Sequence, residues 1–201
     1  VFFGQALHWM EQQRDANRPF FAYITPNAPH DPFVSPGPEW EAPYQGRDLS
    51  TNAIRYYAMI ANIDANVGRL LDRLRTLGME SNTLVIFMTD NGHAVREVYN
   101  AGMRGMKVTP YQGGTRVPSF WRWPGRLAAS VDVRAPVAHV DLLPTLCELC
   151  GVAVPADLAQ IVTAFKAGFK TSGASAAKAD PTATSAEALG EANSDKTLAT
   201  E

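Results

Sequence analysis

The chain has 201 residues, a formal net charge of −2 and 19% charged side chains. Its length is sufficient for one domain with a sizeable core. The nearly balanced charge lacks the concentrated basic face that nucleic-acid binding requires, and no apolar run is long enough to cross a membrane. We therefore expect no nucleic-acid partner and no membrane span.

Helix and strand patterns alternate in the first half of the chain, which predicts an α/β fold. Residues 5–13 are typical of a short helix, and the aromatic and β-branched run over residues 20–24 is typical of a strand. Apolar side chains at steps of three and four predict an amphipathic helix over residues 54–77, with Gly78 just past its end. Residues 83–88 predict a second strand, buried on both faces. Strand, helix and strand in this order predict a βαβ unit with parallel strands.

Polar residues follow both predicted strands. His30 lies in the Pro-rich loop after the first strand, and Asp90, Asn91 and Gly92 end the second. Because the carboxyl ends of parallel strands meet at one edge of a sheet, we expect these loops to open into one crevice. A carboxylate and a carboxamide offer hard oxygen ligands to a divalent cation, but the same residues also suit an ordinary Asx turn. The residues alone leave both interpretations open.

The second half of the chain is less regular. A glycine-rich loop over residues 102–114 precedes a third candidate strand over residues 117–121, and residues 141–150 predict a helix. Cys147 and Cys150 form a Cys-x-x-Cys pair in that helix. Such a pair suits a redox site or half a zinc site. Because the chain has no second pair, we predict two buried structural thiols instead.

The composition changes near residue 158. Residues 158–201 are rich in Ala, Ser, Thr and Gly and contain few large apolar side chains. Because such a segment cannot bury enough surface to offset its ordering entropy, we predict a low-complexity, disordered tail. The preceding domain would then occupy residues 1–157.

Six segments of that domain resemble, in the same order, motifs of the sulfatase family. They are PFFAY and NAPH within residues 19–30, YAMI, Asp64 and VGR within 57–69, NTLVIFMTDNG at 82–92, GMRGMK and YQGGTRVP within 102–118, RWPG at 122–125, and DLLPTL at 141–146. The resemblance implies an alkaline-phosphatase-like α/β fold, with a largely parallel or mixed sheet between helices. It also implies that this chain is the C-terminal part of the catalytic domain.

The activity implied by this resemblance is hydrolysis of a sulfate ester. In the family, a hydrated formylglycine attacks sulfur, and a calcium ion binds the sulfate oxygens. By position, Asp90 and Asn91 would be calcium ligands. Lys107 would contact the sulfate, and His30 would help the leaving group depart. His93 follows the metal-binding strand, so its place in the loop predicts a residue that lines the substrate pocket.

Two parts of the family pattern are missing from the chain. No Cys or Ser opens the Cys/Ser-x-Pro-x-Arg motif from which formylglycine is made, and the acidic pair that completes the metal site is absent. We expect both to lie upstream of Val1 in a longer protein, so the chain by itself should not hydrolyse sulfate esters. Gln112 also stands where the family usually has an acid.

Two other functions stay open. One is a phosphodiesterase or phosphonate hydrolase of the same superfamily, because sulfate and phosphate groups share shape and metal chemistry. The other is a catalytically inactive relative that binds sulfated glycans without cleaving them. The substrate or ligand would be a sulfated small molecule or glycan, and family habit favours secretion or the periplasm.

Overall fold

The computed structural model describes residues 1–154, so the predicted tail over residues 158–201 lies outside the described residues. The chain divides into two compact units after Arg134. The first unit contains helices α1 (Phe2–Asp15), α2 (Pro38–Glu41), α3 (Thr51–Thr76) and α4 (Gln112–Thr115), strands β1 (Val85–Met88) and β2 (Ser119–Arg122), and 3₁₀ turns at Ala42–Tyr44 and Glu80–Asn82. The second unit contains a 3₁₀ turn at His139–Asp141 and helix α5 (Leu142–Cys150).

Helices α1 and α3 pack on each other through one apolar cluster. Met10 on α1 is buried against Leu70 and Leu74 on α3. Beside this cluster, Nε of Arg73 donates a hydrogen bond to Oε1 of Glu11 at 2.6 Å. That hydrogen bond is the main reason why the pKa of Glu11 lies below its ordinary value of 4.5. The ion pair therefore joins the two helices outside their apolar contact.

Capping residues set both ends of α3. The Ser50 hydroxyl accepts a hydrogen bond from the Ala53 amide at 3.2 Å, which satisfies a free amide of the first turn. At the other end, Gly78 has a φ of +68°, and its amide donates to the Arg75 carbonyl at 3.0 Å. A left-handed residue just past a helix is a common end signal, so the predicted stop at Gly78 is confirmed. The predicted apolar stripe is interrupted at Ile60, which is 40% exposed.

The two strands of the described residues form an antiparallel pair. Val85 lies opposite Arg122, Met88 lies opposite Ser119, and the rings of Phe87 and Phe120 stack with centroids 6.3 Å apart. The third predicted strand is thus confirmed as β2, shifted slightly along the chain. Strand β1 is only partly buried, in contrast to the prediction, because β2 is its one strand neighbour among residues 1–154.

The predicted strand over residues 20–24 is wrong for the described structure. This segment is extended but pairs with no other described strand, so the predicted parallel βαβ unit is absent from residues 1–154. Its side chains still alternate between two sides. The inward set packs against the α1–α3 cluster and comprises Phe20, Ala22 and Ile24. On the other side, Phe21 is 72% and Tyr23 is 81% exposed.

A second apolar cluster holds the loop after β1 against the start of α3. Ala53, Val95 and Val98 are buried there, and Phe33 packs against them. The rings of Phe33 and Tyr56 meet edge to face with centroids 5.9 Å apart. This cluster joins three segments that are distant in sequence: the Pro-rich loop, the first turns of α3 and the loop after β1.

The second unit confirms the predicted helix but not the predicted burial of its cysteines. Helix α5 ends at Gly151, which has a φ of +65°. Cys147 is partly buried and Cys150 is exposed, and both are free thiols. The apolar pattern of this helix therefore does not enclose both sulfur atoms. Across residues 1–154, no helix combines the length and apolar character needed to cross a membrane.

Candidate functional site

The aspartate turn, residues 89–92, follows β1 directly. The Asn91 amide donates a hydrogen bond to Oδ1 of Asp90 at 3.0 Å, and the Thr89 hydroxyl donates to the Asn91 carbonyl at 3.3 Å. Asp90 is exposed and Asn91 is half-buried. The local Asx-type geometry is therefore present. It uses one carboxylate oxygen of Asp90 and leaves the side-chain amide of Asn91 available.

The lysine loop, residues 102–114, is held in shape by hydrogen bonds to its own backbone. The Thr109 hydroxyl accepts from the Met106 amide at 3.1 Å and donates to the Met106 carbonyl at 2.7 Å. The side-chain amide of Asn100 donates to the Met103 carbonyl at 2.6 Å. The guanidinium of Arg104 lies 3.8 Å from the ring centroid of Tyr111. These contacts predefine the loop conformation around Lys107.

Two backbone hydrogen bonds join the lysine loop to the aspartate turn and to His93, the residue that follows this turn. The Gly92 amide donates to the Gly114 carbonyl at 3.0 Å, and the Lys107 amide donates to the His93 carbonyl at 2.9 Å. A Cβ atom at Gly92 would lie only 1.8 Å from the Gly113 carbonyl oxygen, so only glycine permits this approach. The structure thus brings together four of the predicted site residues: Asp90, Asn91, His93 and Lys107.

Lys107 presents its charge without a partner inside the described structure. Its ammonium group makes no hydrogen bond or ion pair with another residue of the range 1–154. The next residue, Val108, has a φ of +72° and is 95% exposed. A β-branched residue in the left-handed region is strained, and such strain persists only where the surrounding structure imposes it. The bonds of the lysine loop supply that constraint.

His93 is folded back onto its own loop. Its Nδ1 lies 2.8 Å from the carbonyl oxygen of Val95. Its Nε2 is buried and has no hydrogen-bond partner among the described residues. Because a carbonyl oxygen only accepts, Nδ1 must donate, which leaves Nε2 of the neutral ring as an acceptor.

His30 lies in the Pro-rich loop, and within residues 1–154 its side chain makes no hydrogen bond or ion pair with the other four predicted site residues. Its side chain is 60% exposed, and its Nδ1 lies 3.0 Å from Oδ1 and 2.8 Å from the carbonyl oxygen of Asp31. Donation from Nδ1 to either oxygen leaves Nε2 as the nitrogen open to a ligand. Phe33, which follows shortly after, packs against the cluster that contains Val95. The loop of His30 and the loop of His93 therefore share one anchor.

Two contacts that the sequence analysis did not predict fasten the loop after β1 to α3. The Glu97 carboxylate accepts a hydrogen bond from the Ser50 hydroxyl, which is the chief reason why the pKa of Glu97 lies below 4.5. The Tyr99 amide donates to the hydroxyl of Tyr57 at 2.8 Å. No local sequence motif could have predicted either contact, because each joins residues more than forty positions apart.

The oxygen donors of the aspartate turn match calcium in type but not in number. Asp90 and Asn91 supply a carboxylate and a carboxamide, which are ligands that calcium prefers. Calcium takes about six to eight oxygen ligands. Within residues 1–154, no group of three His, Cys, Asp or Glu side chains is placed to hold a metal ion.

Comparisons with known proteins place the chain among sulfatases. The family described as Sulfatase matches residues 1–152. An uncharacterized sulfatase of Escherichia coli K12, YdeN, is 30% identical over 156 residues, which are 77% of this chain and 28% of YdeN. The N-acetylgalactosamine-6-sulfatase of Canis lupus familiaris is 33% identical over 162 residues, covering 78% of this chain and 30% of that enzyme.

A solved structure shows the same fold. The crystal structure of Ps i-CgsB in complex with k-i-k-neocarrahexaose matches with a TM-score of 0.72 and 29% identity, over 78% of this chain and 35% of that one. The chain therefore spans roughly a third of the length of these relatives. The family match covers nearly all of the described residues, including the aspartate turn and the lysine loop. The chain is a partial domain of the sulfatase family, with its alkaline-phosphatase-like fold.

Proposed function

We propose that the protein containing this chain hydrolyses sulfate esters, converting R–O–SO₃⁻ and water into an alcohol, sulfate and a proton. Membership of the sulfatase family supports the reaction class. The observation that carries the proposal is the backbone contact between the lysine loop and the aspartate turn. This contact supports the proposal because the backbone that carries Lys107 meets the turn that carries Asp90 and Asn91, the side chains that would supply oxygen ligands.

Lys107 is the residue that would contact the sulfate oxygens. Its ammonium group is not neutralised by any carboxylate among residues 1–154, so its charge is available to an anionic ligand. A fixed cation beside oxygens that gain charge in the transition state lowers the barrier. The hydrogen bonds of the lysine loop support this role because they fix the backbone that carries the side chain.

His30 is the residue that would assist the leaving group. Its Nδ1 is occupied by Asp31, so Nε2 is the atom that would donate a proton to the departing alkoxide oxygen. Its exposed position in the Pro-rich loop suits contact with the alcohol portion of a substrate.

Calcium and formylglycine complete this proposal. Asp90 and Asn91 would hold part of a calcium site, and the remaining ligands would come from outside the described residues. When bound, the cation would offset charge on the sulfate group. The formylglycine nucleophile would lie upstream of this chain, so we expect the 201-residue chain alone to be inactive.

A sulfated sugar is the class of natural substrate that we propose. Among the relatives, the names N-acetylgalactosamine-6-sulfatase and endo-4-O-sulfatase refer to sulfate groups on sugars, and Ps i-CgsB was solved with an oligosaccharide. Location in the periplasm or outside the cell stays a prediction from the family.

The decisive experiment begins with the coding sequence upstream of Val1. If it contains Cys or Ser followed by x-Pro-x-Arg, together with an acidic pair, the whole protein is expressed with a formylglycine-generating enzyme. We expect hydrolysis of a chromogenic aryl sulfate that needs both calcium and Lys107. Hydrolysis of the matching phosphodiester in preference to the sulfate would favour the phosphodiesterase alternative.

The non-enzymatic alternative predicts a different result from the same preparation. A binding protein would retain calcium and sulfated oligosaccharides, measured by titration calorimetry, without releasing sulfate. An upstream sequence without the Cys/Ser-x-Pro-x-Arg motif would contradict sulfatase activity.

A further inference from the structure

His93 links the two loops that carry the candidate site. We propose that His93 is a positioning residue: its carbonyl holds the Lys107 amide, and its imidazole fixes the direction of that carbonyl. This inference deepens the proposed function, since the position of Lys107 matters for catalysis only if Lys107 contacts the substrate. It differs from the sequence-based prediction that His93 lines the substrate pocket.

The first step is the backbone contact. The Lys107 amide donates to the His93 carbonyl at 2.9 Å, and no other described residue accepts from that amide. Residues on either side of Lys107 are held by bonds within the lysine loop, such as the pair between Thr109 and Met106. The His93 carbonyl is therefore the contact that ties Lys107 itself to the aspartate turn.

The second step is the imidazole. Its Nδ1 donates to the Val95 carbonyl at 2.8 Å, which closes a short ring between side chain and backbone. Val95 is 5% exposed and packs with Ala53 at the start of α3. The imidazole thus connects the backbone of His93 to a point that is anchored in the apolar core.

The third step is the other ring nitrogen. Nε2 is buried and lacks a partner among the described residues, which is unfavourable for a polar atom. A ring that served substrate binding through Nε2 would expose that atom, whereas this ring buries it. The bond from Nδ1 is the polar contact that the imidazole makes within residues 1–154. Positioning through Nδ1 therefore accounts for the observed pose.

Amide hydrogen exchange on the 201-residue chain, followed by NMR, tests the proposal. His93→Gln and His93→Ala remove the donor at the Nδ1 position, whereas His93→Asn keeps a donor there. We expect exchange at the Lys107 amide to be about five- to tenfold faster in the first two variants, as for loss of one ordinary hydrogen bond, and close to wild type in the third. The Leu77 amide, which bonds to the Arg73 carbonyl at 2.9 Å, is the reference for overall stability.

Unchanged Lys107 exchange in His93→Gln and His93→Ala would overturn the proposal. If exchange at the Leu77 amide also becomes faster, the exchange rate of the Lys107 amide is divided by that of the Leu77 amide. A ratio that is equal in all three variants contradicts a specific role of His93. A ratio that returns to the wild-type value in His93→Asn supports this role. Nitrogen-15 NMR of the wild-type His93 imidazole gives an independent result. A ring that is protonated at Nε2 and unprotonated at Nδ1 would contradict the proposed hydrogen bond from Nδ1 to the Val95 carbonyl. Neither measurement uses metal or substrate. Both results can therefore be interpreted even if the protein proves not to be a sulfatase.

Discussion

Gly92 and Gly113 approach so closely that a Cβ atom on the first would lie 1.8 Å from the carbonyl oxygen of the second. The contact joins the aspartate turn to the lysine loop without any intervening side chain. Gly113 is equally restricted, because a Cβ there would lie 2.1 Å from the Gly105 carbonyl oxygen. Glycine at these positions thus allows two backbones to meet, and the candidate site depends on that meeting.

Gly92→Ala should separate the two loops. The new Cβ would overlap a backbone oxygen, which cannot move aside as a flexible side chain would, so we expect a loss of at least about 2 kcal/mol in the free energy of unfolding. Equilibrium unfolding in urea measures this loss. Gly68→Ala is the matched control, because Gly68 is an exposed residue of α3 with no atom within 4 Å of the added Cβ outside its own helix and neighbours.

The control substitution should act in the opposite direction. Gly68→Ala should stabilise the chain by about 0.5–1 kcal/mol, because alanine favours a helix more than glycine does. Equal losses from both substitutions would contradict the close contact at Gly92.

Val108→Gly should relieve strain beside Lys107. A left-handed conformation is unfavourable by about 1–2 kcal/mol for a residue with a Cβ atom, and glycine regains part of this while losing chain entropy. We expect a net stabilisation of about 0.5–1 kcal/mol in urea unfolding. Val131→Gly is the control at another exposed valine, which has no positive φ, and it should not stabilise the chain.

Glu11→Gln should weaken the acid sensitivity of the chain. The folded-state pKa of Glu11 lies below 4.5, so its ion pair stabilises the fold above that value, and this contribution is lost as the pH falls through the lower, folded pKa. The wild type should therefore lose more stability than the variant between about pH 7 and about pH 3. Urea midpoints at both pH values measure the difference.

A control for the acid experiment is Asp132→Asn, which alters an exposed carboxylate that forms no ion pair within residues 1–154. It should leave the pH dependence of the urea midpoint close to that of the wild type. A Glu11→Gln variant with the full wild-type acid response would show that the contact with Arg73 does not stabilise the fold.

Lys107→Met should abolish most activity while leaving the fold intact. If the whole protein has the proposed sulfatase activity, we expect its kcat to fall by about 10²–10³-fold, as when one group that stabilises transition-state charge is removed. The free energy of unfolding of the chain should change by less than about 0.5 kcal/mol, because the ammonium group has no partner among the described residues. Arg69→Met, on the exposed side of α3, removes an equal charge and should retain activity.

Local patterns predicted the three longer helices, because their signals lie within each segment. The apolar steps of α3 and the glycine just past its end are neighbours in sequence. The one-turn helices α2 and α4 were not predicted. For residues 20–24 the alternation of side chains is as expected, yet the strand is absent. A strand exists only through hydrogen bonds to a neighbour, and residues 1–154 provide no such neighbour.

The sequence predicted which loops carry the candidate site, but not the contacts that join these loops. The order of motifs placed Asp90, Asn91 and Lys107 in one site, and the structure brings their loops together. The parallel-strand argument concerned the loops of His30 and Asp90, and residues 1–154 contain no parallel pair of strands. The lysine loop instead meets the aspartate turn through glycine backbones and His93. No local sequence pattern predicts the hydrogen bond between Ser50 and Glu97, because these residues are distant in sequence and meet only in the folded chain.

The extended segment at residues 20–24 has a consequence for handling the isolated chain. Its aromatic side chains Phe21 and Tyr23 are exposed to solvent, and its backbone makes no hydrogen bond with another described residue. An extended apolar segment with unpaired backbone groups is a template on which a second molecule can add a strand. Self-association that grows with concentration should therefore start here, and Tyr23→Lys should suppress it without altering the lysine loop.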